Sequence, residues 1–206
     1  MSILASAPNI TLYGLGTSRS ARCRWAALEL DMEFEYIEDR TLLRSARLRK
    51  LQPLAKLPAA VINGKVVFES AAICTYLCDL HGDNALIAAP GSYARALHEQ
   101  WTSFVLTELE AYLWSNAKHT AMYAQELRVA AVVPRNNDEI ALAMKVLNDH
   151  LATTEYLVEG SFSVTDIIAG WTINWARRTG HWDSYTHLHA YVERLFARPH
   201  CTLNRE

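Results

Sequence analysis

Two junctions in the chain carry residue types from which a binding site could be made. The first reads Thr17-Ser18-Arg19-Ser20, three hydroxyls around an arginine, just after an apolar run. The second reads Glu69-Ser70, an acid and a hydroxyl between a short apolar run and a helix-like pattern. A hydroxyl at a helix start caps the N–H groups that the first turn leaves without partners. Those same N–H groups and the positive end of the helix dipole also attract an anion. Each junction therefore admits two readings: a helix cap, or a place to hold something that is neither protein nor water. Nucleophilic chemistry is not indicated. The eight histidines are scattered, and no spacing demands a Ser-His-Asp arrangement.

The four cysteines, Cys23, Cys74, Cys78 and Cys201, form no Cys-x-x-Cys pair. Cys74 and Cys78 stand four apart on a helix pattern that also carries Ala71, Ile73 and Leu77, so they read as buried free thiols. No histidine cluster completes a metal site, and no metal is expected. Free cysteines point to a reducing compartment. The N-terminal stretch MSILASAPNI lacks the basic region and apolar length of a signal peptide. No apolar run is long enough to span a bilayer. The reading is a soluble cytoplasmic protein without a membrane partner. A net charge of -2 across 206 residues argues against nucleic acid as a partner. The local cluster Arg44, Arg47, Arg49 and Lys50 reads as a solvated helix face.

The elements that must position these residues differ between the two halves. Ile10 to Leu15 reads as a buried strand and Ser18 to Leu30 as a helix, with Tyr13 packed in the strand. Phe34 to Ile37 is a second strand, and TLLRSARLRKLQP is helical until Pro53 stops it. AAVINGKVVFE is a β-hairpin turning at Asn63-Gly64, where a two-residue turn needs positive φ. Ser70 opens a helix to about His81. A strand-helix-strand unit requires a parallel crossover and the hairpin adds an antiparallel edge. The expectation is a four-stranded mixed sheet with helices packed on it. Beyond residues 82–91 the strand signals stop. Helices are expected over 92–118, 136–157, 164–179 and 185–197, with VPRNND and VEGSF as breaks. Ser163-Val164-Thr165-Asp166 has the spacing of a capping box. The expected domains are 1–81 and 92–206, with 82–91 as linker.

The segments ITLYGLGTSRSARCRWAALELDMEFEYIE, QPLAKLPAAVINGKVVFESAAICTYL, FSVTDIIAGWTINWA and YVERLFARP together resemble the cytosolic glutathione transferases, the bacterial members most nearly. The resemblance covers nearly the whole chain. It implies a thioredoxin-like α/β domain followed by an all-α domain, a homodimer, and glutathione as co-substrate. Lys56, Leu57, Pro58, Glu69 and Ser70 fall on the family's glutathione-binding segment. The resemblance implies a cis bond at Leu57-Pro58, presenting the Leu57 backbone to the cysteinyl part like an added strand. Lys56 would meet the glycyl carboxylate. Glu69-Ser70 suits the zwitterionic γ-glutamyl end, Glu69 pairing with its ammonium and Ser70 with its carboxylate. One departure stands in this segment. Where many members have Asn-Pro-x-Gly-Lys, this chain has Gln52-Pro53-Leu54-Ala55-Lys56, with the alanine a mild change.

In the first turn a hydroxyl would donate to the glutathione sulfur and favour its thiolate. Alignment from the helix puts Thr17 on the catalytic serine of related classes, and Ser18 is one step along. Both remain candidates. Cys23 lies too far into the helix for that role. Tyr112, Trp114 and His119 are the expected pocket for a small hydrophobic electrophile. Trp171 and Trp175 share a helix face and read as packing. The implied activity is conjugation of the thiolate to such an electrophile, in detoxification. Two alternatives stay open: a glutathione-dependent isomerase or dehalogenase on the same scaffold, and a non-catalytic interaction protein that keeps the fold.

Overall fold

The computed structural model describes residues 7–82 and 86–205. Strand β1 (Ile10–Gly14) alternates buried and half-buried positions, so one face is fully covered and the other partly. β2 (Glu35–Glu38) runs parallel to it, with Thr11 opposite Glu35 and Gly14 opposite Glu38. The crossover between them is α1 (Ser20–Glu29). β3 (Ala59–Ile62) is antiparallel to β1, and β4 (Lys65–Phe68) is antiparallel to β3. The sheet order is β2-β1-β3-β4, the mixed four-stranded arrangement expected. Asn63 and Gly64 take φ of 50° and 74° in the hairpin turn. α3 (Ser70–His81) follows and packs on α1. Trp25, Leu12, Ile62, Ile73 and Leu77 are fully buried in this part of the core. The result is a thioredoxin-like domain.

The stretch from Thr41 to Pro53 is not one helix. A 3₁₀ turn at Arg40–Leu42 ends, Arg44 adopts φ of 62°, and Ser45 caps a short α2 (Ala46–Arg49) through the Leu48 N–H at 3.0 Å. Helix spacing alone did not reveal the break, because no glycine or proline marks Arg44. Ala55 is also in the left-handed region, at φ of 50°, and almost fully buried. That conformation costs an L-residue about 1–2 kcal/mol. The change from the family's glycine is therefore not mild. The Ala55 methyl offsets part of the cost by joining a cluster with Leu42, Leu48 and Ala59. Tyr13 and Leu57 pack on the same cluster, so Tyr13 has the packing role expected of it.

The rest of the chain is helical: α4 (Tyr93–Phe104), α5 (Ala111–Ala117), α6 (Val132–His150), α7 (Val164–Arg178) and α8 (Thr186–Phe196). π-helical turns at Val105–Glu110 and Lys118–Met122 flank α5. α6 starts four residues before the expected position and ends seven before it. Pro134 lies in its first turn, where a missing N–H costs no hydrogen bond. VPRNND lies wholly within α6 and is not a break. The capping box at Ser163 and Asp166 forms. The chain divides into two packed units. One runs to Ile87 and takes in His200–Asn204; the other is Ala88–Pro199 with Arg205. Among the described residues no helix is long and apolar enough to cross a membrane.

Candidate functional site

The turn between β1 and α1 is held by its own hydroxyls. The Leu15 N–H donates to Ser20 Oγ at 3.3 Å, and the Ser18 and Ser20 hydroxyls lie 2.9 Å apart. Ser18 Oγ also accepts from the Ser20 N–H at 3.3 Å. Thr17 is exposed, Ser18 half-buried and Ser20 buried. A carboxylate from the neighbouring strand fixes the turn from outside, since the Gly16 N–H donates to Glu38 Oε1 at 2.6 Å. The serines therefore do shape the turn. A hydroxyl has one proton to give and two lone pairs, so accepting an N–H does not prevent it from donating elsewhere.

Between α2 and β3 the backbone is set by one buried side chain. Gln52 Oε1 accepts from the Leu54 N–H at 2.7 Å and from the Lys56 N–H at 3.0 Å. Lys56 is exposed, Leu57 half-buried and Pro58 buried. The Leu57-Pro58 peptide bond is cis, as the resemblance implied.

At the β4–α3 junction Glu69 has φ of 71° and ψ of 118°, and its exposed side chain makes no cap hydrogen bond to α3. Positive φ on a residue with a Cβ is strained, at about 1–3 kcal/mol, and such outliers gather at functional sites. Ser70 is buried at the first position of α3. Its Oγ accepts from Arg22 Nη1 at 3.0 Å, and its carbonyl accepts from Cys23 Sγ at 3.7 Å. Cys23 is a buried packing thiol, and burial with a neighbouring Cys23 thiol pushes the Cys74 pKa well up. Both are inert as nucleophiles.

The sequence reading missed Arg22, Glu38 and Gln52. Arg22 and Gln52 are buried although their residue types ordinarily face solvent, and Glu38 is an exposed strand-end acid. No local motif marks Arg22 or Glu38, which act on partners far along the chain. Gln52 was visible only as a departure from the family's asparagine.

In the helical unit Tyr112 and Trp114 are half-buried on α5. The Trp114 ring meets Trp175 edge-on at 6.4 Å, and Trp175 meets Trp171 at 5.6 Å. Trp171 and Trp175 thus belong to the same aromatic chain as the expected pocket residue Trp114. His119 lies in the second π turn, a feature that recurs at functional sites. Its Nδ1 accepts from the Val129 N–H at 3.0 Å, and its ring meets Tyr123 edge-on at 5.2 Å. Among the described residues no group of three or more His, Cys, Asp or Glu is placed to hold a metal ion.

The mixed β2-β1-β3-β4 sheet with its packed helices, followed by a helical remainder, has the glutathione transferase fold. The glutathione S-transferase N-terminal domain model matches residues 8–79, and the C-terminal domain model matches residues 130–194. The chain belongs to the glutathione S-transferase family. It is 27% identical over 148 residues to glutathione S-transferase 1 of Schizosaccharomyces pombe, covering 69% of this chain and 64% of that one. It is 31% identical over 151 residues to the probable elongation factor 1-gamma 1 of Arabidopsis thaliana, spanning 71% of this chain but only 35% of that protein. Among solved structures, the glutathione transferase URE2P8 of Phanerochaete chrysosporium, crystallised with oxidized glutathione, superposes with a TM-score of 0.83. The identity is 22%, over 96% of this chain and 94% of the other. The theta class enzyme of Xanthomonas axonopodis pv. citri, with glutathione bound, gives 0.78 at 23% identity, over 94% and 95% of the two chains. At these identities the two structures speak to the fold.

Proposed function

We propose that this chain is a glutathione transferase that joins the glutathione thiolate to small hydrophobic electrophiles. The observation that carries the reading is the β4–α3 junction. A non-glycine residue in a strained conformation carries an exposed carboxylate beside a buried serine hydroxyl at a helix start. This pairs an acceptor for an ammonium with a donor for a carboxylate, the two charges of a γ-glutamyl end. Lys56 carries the positive charge for the glycyl carboxylate, and the Leu57 backbone pairs with the cysteinyl part.

The reaction then needs a thiolate. A free cysteine thiol has a pKa of about 8.5, so a donor from Thr17 or Ser18 and the N-terminus of α1 must favour the charged sulfur. The proton leaves to solvent. The sulfur lone pair forms a C–S bond to the electrophilic carbon, and the leaving group departs with its bonding pair. Tyr112, Trp114 and His119 supply the surface for a flat apolar acceptor. The four cysteines are free, which supports a reducing, cytoplasmic setting. A homodimer is part of this proposal. Light scattering at micromolar concentration should give twice the chain mass, and a monomer would remove that part.

Retention on immobilised glutathione tests binding first. Turnover with a chloronitrobenzene, set against a peroxide and a cis-dienoic acid, then separates conjugation from reduction and isomerisation. The likeness to elongation factor 1-gamma favours one second reading, a non-catalytic module with this fold. Retention without turnover of any acceptor would select it.

A further inference from the structure

Arg22 on α1 is fully buried, at 0% exposure. A guanidinium out of water is costly unless its N–H groups are taken up by acceptors. One goes to Ser70 Oγ, 48 residues along the chain, at 3.0 Å. The polarity of that bond is fixed by chemistry. Arginine has donors only and keeps its proton, so the Ser70 oxygen must accept. The one Ser70 O–H proton is then directed away from Arg22. An ionised carboxylate only accepts, so an outward-pointing hydroxyl proton is what it needs. Accepting from a cation also polarises the hydroxyl and strengthens what it donates. The cation itself stands one side chain behind the helix start, buried where salt screens it little.

We propose that Arg22 is a positioning residue for the γ-glutamyl α-carboxylate: it locks the Ser70 hydroxyl as a donor and adds a buried positive charge behind it. The inference rests on the reading that Glu69 and Ser70 hold the γ-glutamyl end. It differs from a structural tie between α1 and α3. A tie would weaken every ligand alike, whereas a carboxylate-directed device discriminates by that one group. Lysine would not be equivalent, since its ammonium is a compact point charge that lacks the planar fork.

The test uses the full chain and two ligands, measured by titration calorimetry. One is glutathione. The other is 4-aminobutyryl-cysteinyl-glycine, which lacks only the γ-glutamyl α-carboxylate. The parent should prefer glutathione by about tenfold or more, the size of a charge-assisted hydrogen bond. Arg22→Met should bring that preference close to one while leaving the affinity for the analogue as in the parent. In turnover, the KM for glutathione should rise while kcat at saturation stays near the parent value. Arg22→Lys should lose part of the preference, and it carries the comparison if the methionine variant does not fold. A folded variant that keeps the parent's preference, or weakens both ligands equally, overturns the proposal. A parent that does not distinguish the two ligands overturns the γ-glutamyl reading itself, and the inference with it.

Discussion

The starts of α7 and α3 both pair a serine with an acid, and the acids have opposite surroundings. At α7 the Asp166 carboxylate is fully buried and takes four donors. Ser163 N–H and Oγ meet Oδ2 at 2.9 and 3.0 Å, and the Leu157 N–H and Tyr191 hydroxyl meet Oδ1 at 3.0 and 2.9 Å. Ser163 has ordinary extended backbone. At α3 the Glu69 side chain is exposed, makes no cap hydrogen bond to its helix, and sits on a backbone at φ of 71°. The first acid is closed by its own chain and contributes stability. The second is exposed on a strained backbone at an energetic cost to the fold, the arrangement on which the proposed γ-glutamyl role rests.

The largest expected effect belongs to the closed acid. Asp166→Ala leaves buried donors without an acceptor and removes a helix cap, so it should cost at least about 3 kcal/mol, read from the urea midpoint. Protein that remains folded should bind glutathione as the parent does. A loss below about 1 kcal/mol would break the contrast.

The same site sets a pH dependence. Burial raises the Asp166 pKa despite its hydrogen bonds. With the folded value above the unfolded one, the contribution is fully present below the ordinary carboxylate range. It is lost as pH rises through the raised folded value. Asp166→Asn should flatten that fall in stability against pH. An unchanged slope would mean that the acid does not titrate in this way.

The displayed acid should respond in the other sense. Glu69→Gly relieves the positive φ, so the fold should gain on the order of 1 kcal/mol, less the entropy that glycine adds to the unfolded chain. Glutathione affinity should fall at the same time. A variant that loses stability as well would show that the Glu69 side chain supports the fold.

An effect of similar size concerns the thiol. Replacing the true donor by alanine should raise the bound thiol's pKa by about one unit, or about 1.4 kcal/mol. Thiolate then forms at higher pH, and turnover near neutrality slows. Thiolate absorbance against pH for Thr17→Ala, Ser18→Ala and Ser20→Ala identifies the donor. If all three titrate as the parent, the turn serves only as a cap.

The contrast between the two helix starts was half visible in the sequence. The capping box at Ser163 and Asp166 is a local pattern with a fixed spacing, and the Asn63-Gly64 turn announces itself through φ. The cis bond at Leu57-Pro58 came with the family likeness. The strain at Glu69 has no local signature, because glutamate rarely adopts positive φ and no glycine stands there. Arg22 and Ser70 meet only after α1 packs on α3, so their spacing along the chain carries no signal. The break at Arg44 and the early start of α6 were missed for related reasons. One lacks a glycine or proline marker, and the other has a proline that the first turn of a helix tolerates.

The most direct test is titration calorimetry of glutathione against the parent, Glu69→Gln and Ser70→Ala. Each substitution removes the protein side of one hydrogen bond to a charged ligand group, worth on the order of 1.5–3 kcal/mol, so each should weaken binding about ten- to hundred-fold while the fold persists. Both variants folding and binding glutathione as tightly as the parent would contradict the γ-glutamyl site at the start of α3.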